Sequence, residues 1–234
     1  MTNTRRKFLV QGSMLTTALV AAKPFDALAT LASPFTGEGF NQVTLLHTAL
    51  PATAAASRLG KIKHDHANPV LLGVNSSEEE QSANYDAAAG YLPQHFDGTY
   101  KIIHKGQFRI AVIETAPGEG NNAETVNHLA AFLKKDENCD LVVCISQLGF
   151  KNRSSIDDIR LAERSENLDI IIGRRSAASP KRPYISLNKK RAEVILQYAD
   201  DQETAIGKIK IVFDKKGDKH GIEFRRFRSE EAIA

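Results

Sequence analysis

Cysteine is scarce in this chain, with two in 234 residues, Cys139 and Cys144. Five positions apart on one strand, they face opposite sides and stand roughly 16 Å apart, too far for a disulfide. No disulfide framework of the secreted type exists, and both thiols read as small, buried apolar groups. Excess charge is missing too, once the N-terminal segment is set aside. Residues 1–29 hold four of the 31 Lys and Arg residues and one of the 28 Asp and Glu residues, which leaves 27 of each. A neutral remainder supplies no whole-molecule attraction for nucleic acid or for an anionic membrane. Long apolar runs are absent as well. The N-terminal run is about 15 residues and is broken at Gln11, Gly12 and Ser13, too short to span a bilayer comfortably. There is no internal repeat and no G-x-S-x-G elbow. Gly118-Glu119-Gly120 does not make a phosphate loop, because no Lys-Ser/Thr follows it.

What is present at the N-terminus is an export signal. Arg5-Arg6-Lys7-Phe8-Leu9 precedes the apolar run to Ala22, and Ala27-Leu28-Ala29 is a small-residue cleavage site. Paired arginines before Phe-Leu resemble a twin-arginine signal, which predicts export to the periplasm or cell envelope and no stable membrane span in the mature chain. The chain then divides into the signal (1–29), a linker (30–41), one domain (42–228) and a short tail (229–234).

Within the domain, residues 42–48 read as the first core strand and 52–63 as a helix. His64 and His66 follow, spaced to share one face of a strand, but two imidazoles without a third ligand read as structural or solvated. A second strand is expected over 68–75. Residues 76–98 read as a polar surface loop with a short helix. The runs 99–105 and 107–113 predict a hairpin about Gly106. Residues 124–136 predict a helix, with Val126, Leu129, Ala130 and Leu133 on one face and His128 on its rim. Cys139–Ile145 and Leu168–Ile172 are continuous Val/Ile-rich runs, the pattern of strands covered on both faces. They flank a short helix over 155–165, so the unit is β-α-β, and ligand sites in such sheets lie beyond the carboxyl ends of the strands. Residues 179–183 read as a turn, and 192–198 and 205–213 as closing strands. The second of these alternates, as a strand solvated on one side does. Residues 221–228 predict an edge strand whose Arg225, Arg226 and Arg228 form a solvated surface.

The strand ends carry a resemblance. Ser146-Gln147-Leu148-Gly149 follows the first buried strand, and Gly173-Arg174-Arg175-Ser176-Ala177 ends the second. Strands ending S-H-L-G and G-G-H-S-H are features of the metallophosphoesterase (calcineurin-like) superfamily, and specifically of the N-terminal domain of bacterial 5′-nucleotidases. The first strand, Leu45-Leu46-His47-Thr48-Ala49-Leu50-Pro51-Ala52, resembles the family's L-H-T-N-D-T-H. The hairpin resembles Y-K-I-I-E-K-G-G-x-K-I-G-V-I-G. The resemblance covers about Gln42 to Lys216 with gaps, since the family's G-D-x-x-D-G and G-N-H-E segments have no counterpart. It implies an α/β fold, a reduced metallophosphoesterase-like sandwich of mixed β-sheets flanked by helices.

The family's metal pair is about 4 Å apart and activates a water against phosphate. In this chain Leu50 and Ala52 stand at the Asp and His positions of the first strand. Gln147 stands at the histidine of S-H-L-G, and Arg175 and Ala177 at the two histidines of the last motif. None supplies an anionic or imidazole ligand, and Arg174 and Arg175 add fixed positive charge where a dication would sit. His47 survives but precedes the ligand positions, so it reads as structural. The expectation is therefore a metal-free, non-catalytic relative of the nucleotidase domain that acts by binding. Its partner would be an active metallophosphatase, or a nucleotidase C-terminal domain made as a separate chain. Two alternatives remain open: a phosphate or nucleotide binder using Arg174 and Arg175, and a residual metal-dependent phosphoesterase acting on nucleotides.

Overall fold

The computed structural model describes residues 41–49, 70–74, 91–92, 100–118, 123–152, 156–199 and 205–228. The signal, the helix expected over 52–63, the His64/His66 pair, Leu50, Ala52 and the tail lie outside them.

Two mixed sheets face each other. The five-stranded sheet has the order β11-β10-β1-β2-β3. Its strands are β1 (Asn41–Thr48), β2 (Val70–Gly73), β3 (Tyr91–Leu92), β10 (Ala205–Phe213) and β11 (Lys219–Arg228). The six-stranded sheet has the order β4-β5-β6-β7-β9-β8. It contains β4 (Tyr100–Lys105), β5 (Phe108–Thr115), β6 (Leu141–Ser146), β7 (Ile170–Arg174), β8 (Tyr184–Leu187) and β9 (Glu193–Ala199). Strands β5, β6, β7 and β9 run parallel, with β4 and β8 antiparallel at the two edges. Helices α1 (Ala123–Lys135) and α2 (Asp158–Arg164) are the crossovers from β5 to β6 and from β6 to β7.

Side-chain alternation sorts the core into two layers. Odd residues of β1 and β10 (Val43, Leu45, Ile209, Ile211) meet Val112, Val143, Ile145, Ile170 and Ile172 between the sheets. Phe108 stacks on Phe213 there, ring centroids 4.5 Å apart. The opposite face of the six-stranded sheet (Ala111, Ile113, Val142, Cys144, Ile171, Leu196) packs against Val126, Ala130 and Leu133 of α1 and Leu161 of α2. Strands covered on both faces need apolar residues at every position, which is why 141–145 and 170–172 show no alternation. Both cysteines are free and buried, as the sequence predicts, but Cys139 precedes β6 and both belong to the helix-side layer rather than facing opposite sides of one strand.

Three further details depart from the sequence reading. The segment 76–98, expected as loop and helix, contributes Tyr91–Leu92 as a strand pairing parallel with Leu71–Leu72. Two residues are too few to carry a period. Tyr184–Leu187 likewise forms β8 without a run long enough to announce it. And β10 is not solvated on one side, because Ile206, Lys210 and Val212 on its outer face are buried along with the core residues. The lysines that gave the alternation its polar beats, Lys208 and Lys210, lie opposite Arg225 and Glu223 of β11.

At the amino-terminal ends of β6 and β7, Asp169 ties the layers together. Its carboxylate accepts from Val142 N–H at 2.8 Å, pairs with Lys134 of α1 at 2.8 Å, and is met by Lys219 from the start of β11. Burial alone would raise the Asp169 pKa, but Lys134 and Lys219 outweigh it and hold the carboxyl below its ordinary range.

Candidate functional site

The carboxyl-terminal ends of β5, β6, β7 and β9 form one edge, and the structure brings Gln147, Arg174, Arg175 and Ala177 to it. The ladder is carried one step past the strands. Gln147 N–H donates to Thr115 C=O at 2.9 Å and Arg175 N–H to Ala199 C=O at 2.8 Å. Gln147 and Arg175 are half-buried, while Arg174 and Ala177 are exposed. The loop after Arg175 is closed by Ser179, whose Oγ accepts from Ser176 N–H at 3.0 Å.

Below this edge, on the helix side, lies a buried polar knot. Asp158, the first residue of α2, receives hydrogen bonds from Ser146 Oγ–H and, at 2.9 Å, from Tyr198 O–H. Ser146 Oγ in turn accepts from Leu148 N–H at 3.1 Å, and Asp158 N–H donates to Gly149 C=O at 2.9 Å. A Cβ at position 173 would come within 2.8 Å of the Tyr198 ring and 3.1 Å of the Asp158 carboxylate, so only glycine fits under the knot. Burial pushes the Asp158 pKa up to about 6, against the pull of its two hydroxyl donors. Burial and the adjacent Asp158 carboxylate drive the Tyr198 phenol far above its usual range. A serine bonded to a carboxylate can be activated as a nucleophile only where a substrate reaches it. Ser146 and Asp158 are 1% and 0% exposed, so here the pair fixes the 146–149 turn.

On the inter-sheet side of the same ends sits His47. Its ring covers Gly207 on the neighbouring strand, and a Cβ there would fall 2.1 Å from Nε2. Neither ring nitrogen has a hydrogen-bond partner, and the same is true of Thr115 Oγ1 and Gln197 Oε1 among the described residues. Burial, with Arg226 nearby, lowers the His47 pKa to about 3, so the imidazole is neutral. Glu114, one residue before the end of β5, is raised by burial to about 7. The sequence marked His47 as structural, and its packing on Gly207 agrees. It did not mark Glu114, Asp158, Gln197 or Tyr198, whose only sequence signal is a polar residue inside or beside an apolar run.

A divalent pair needs convergent carboxylates and imidazoles. The described residues that the sequence resemblance sets at ligand positions are an amide, a guanidinium and a methyl group (Gln147, Arg175, Ala177), groups that do not fit such a pair. Among the described residues no three His, Cys, Asp or Glu side chains converge as a metal cluster would require. A separate groove of about 550 Å³ lies between the helices, lined by Glu124, Asn127, His128, Arg164, Glu166 and Lys189 among others, and none of these is a strand-end residue. No helix among the described residues is long and apolar enough to cross a membrane.

No family model and no curated protein matches the chain. Solved structures do. The chain superimposes on the 5′-nucleotidase precursor of Thermus thermophilus with a TM-score of 0.58 at 14% identity, covering 82% of this chain and 58% of that one. It superimposes on the Haemophilus influenzae NAD nucleotidase with a TM-score of 0.57 at 13% identity, covering 80% of this chain and 50% of that one. The chain thus spans between half and three-fifths of the length of these proteins. At such identities the likeness is one of fold, and the fold is the α/β metallophosphoesterase-like sandwich of 5′-nucleotidase N-terminal domains.

Proposed function

From that fold we propose that the protein is an exported, non-catalytic relative of the 5′-nucleotidase domain that acts by binding a protein partner. The partner would be an active metallophosphatase, or a nucleotidase C-terminal domain carried on another chain. One observation carries the reading. Strands β6 and β7, which resemble two ligand-bearing segments of the family, are formed, while Gln147, Arg175 and Ala177 stand where the resemblance expects ligands. Framework without donors is what a domain used for its surface would retain. The twin-arginine segment supports export, and the paired arginines can be tested by Arg5→Lys/Arg6→Lys and fractionation of the envelope.

The deciding experiment is elemental analysis of the purified chain together with turnover of a generic phosphate ester in added manganese or zinc. The expected result is no stoichiometric metal and no turnover, followed by recovery of an envelope protein on the immobilised chain. Stoichiometric metal with turnover would replace this reading with the residual phosphoesterase. A second reading has its own observation: Arg174 and Arg175 stand side by side at a strand end, where guanidinium groups hold phosphate by charge-assisted hydrogen bonds. Calorimetry with phosphate and AMP on wild type and Arg175→Ala tests it. Heat that is absent, or unchanged by the substitution, rejects it.

A further inference from the structure

Strand β8 is the outer strand of the six-stranded sheet, paired on one side with β9. Asn188 N–H donates to Ala192 C=O at 3.0 Å, which sets the alternation of this hairpin. Asn188, Ser186 and Tyr184 therefore turn their backbone groups toward β9. The N–H and C=O of Ile185 and Leu187 turn away from it, toward an edge that no other strand pairs among the described residues. Two of the three large apolar side chains exposed among the described residues also lie on this strand, Tyr184 at 39% and Ile185 at 42%. An edge with outward backbone groups and exposed apolar side chains is the surface to which an extended chain adds as a further strand.

Charge selects the occupant. From Ile170 to Ala192 the chain has seven basic residues and no acidic one, although the chain from residue 30 onward is neutral as a whole. Lys181 and Arg182 lie exposed just before β8, and Lys189, Lys190 and Arg191 lie exposed just after it. Lys190 is engaged at 3.5 Å by Glu166, and the others extend the positive field around it. The four-residue strand between the clusters is about 13 Å long. Two copies of the chain pairing antiparallel along β8 would set Lys181 and Arg182 of one against Lys189–Arg191 of the other, a like-charge contact that works against self-association. Nucleic acid would use the charge but neither the outward amides nor the apolar side chains. We propose that β8 is a docking edge for an extended acidic segment of a partner protein, with apolar residues over Tyr184 and Ile185 and carboxylates toward both basic ends. The proposal rests on the partner-binding reading above and names the chemistry of that partner.

The test uses the full chain and a capped eight-residue peptide with an apolar centre and two glutamates at each end (Glu-Glu-Val-Ile-Val-Ile-Glu-Glu), followed by fluorescence anisotropy at low and moderate salt. Controls are the same peptide with lysine for glutamate, and one N-methylated on alternate amides. The acidic peptide is expected to bind and to weaken with salt. It should lose about tenfold or more in affinity on Lys181→Glu/Arg182→Glu and on Ile185→Pro. Thermal unfolding of each variant is recorded so that a misfolded protein is set aside, and the charge variant alone then decides. N-methylation should abolish binding. Equal binding of the lysine peptide, indifference to the charge variant, or no binding at millimolar peptide overturns the proposal. So does a concentration-dependent dimer lost in Ile185→Pro, or binding only to vesicles of phosphatidylglycerol and phosphatidylethanolamine. Metal and turnover measured on the same preparation separate the two failures. Catalysis would remove the proposed function, whereas a metal-free chain that ignores the peptide would remove only the docking edge.

Discussion

The two ends of the six-stranded sheet handle buried polarity in opposite ways. At the amino-terminal ends of β6 and β7, Asp169 is surrounded by donors, Val142 N–H, Lys134 and Lys219, and its carboxyl is held low. At the carboxyl-terminal ends, Asp158 and Glu114 are raised by burial, His47 is lowered by it, and side-chain atoms of His47, Thr115 and Gln197 have no partner among the described residues. The first end answers burial with two lysines and an amide, whereas at the second burial dominates the shifts of Asp158, Glu114 and His47.

That contrast can be broken first at the satisfied end. Asp169→Ala strands two lysines and an amide, and should cost about 3–5 kcal/mol by chemical denaturation. A loss under about 1 kcal/mol would mean that the ion triad is ornamental. At the other end, Asp158 has a folded pKa of about 6 against an ordinary 3.8. The fold therefore favours its protonated form. The contribution of Asp158 to stability is largest below about pH 4, falls between about pH 4 and 6, and is level above. Asp158→Asn should remove that slope, so stability of the variant relative to wild type rises by about 3 kcal/mol from pH 4 to pH 7. A flat difference would show that Asp158 is not held protonated. Gly207→Ala presses a methyl into the His47 ring and should destabilise by about 1–3 kcal/mol, read from the same denaturation curves. His47→Gly should restore part of it. The smallest effect sharpens the comparison. Glu137 pairs with Arg109 at 2.9 Å beside the Asp169 end, but both side chains are about one-third exposed. Glu137→Ala should cost under about 1 kcal/mol.

Much of the fold was legible because each parallel strand is covered on both faces and so reads as an unbroken apolar run. The runs 141–145 and 170–172, the hairpin about Gly106 and the helix at 124–136 all stand within a few residues of their expected places. β3 and β8 escaped because two and four residues carry no period. β10 misled because its lysines mimic a solvated face, when their stems are packed and their charges lie near Glu223. The site was legible as a set of substitutions, since Gln147, Arg175 and Ala177 can be read against a motif. The knot of Ser146, Asp158 and Tyr198 could not be read, because it joins residues 12 and 40 positions apart that no spacing rule connects.

The pairing of β1 with β10 sets an order of events. Leu45 lies opposite Ile209, about 160 residues later. At a synthesis rate of about 5–20 residues per second, β1 waits about 10–30 s for the strand that covers its edge. Throughout that interval Val43 and Leu45 have no sheet neighbour from the far end of the chain. The five-stranded sheet is therefore a checkpoint on completeness: nascent chains cut short before Ala205 leave β1 with an open hydrogen-bonding edge, which makes them substrates for holding chaperones and proteases.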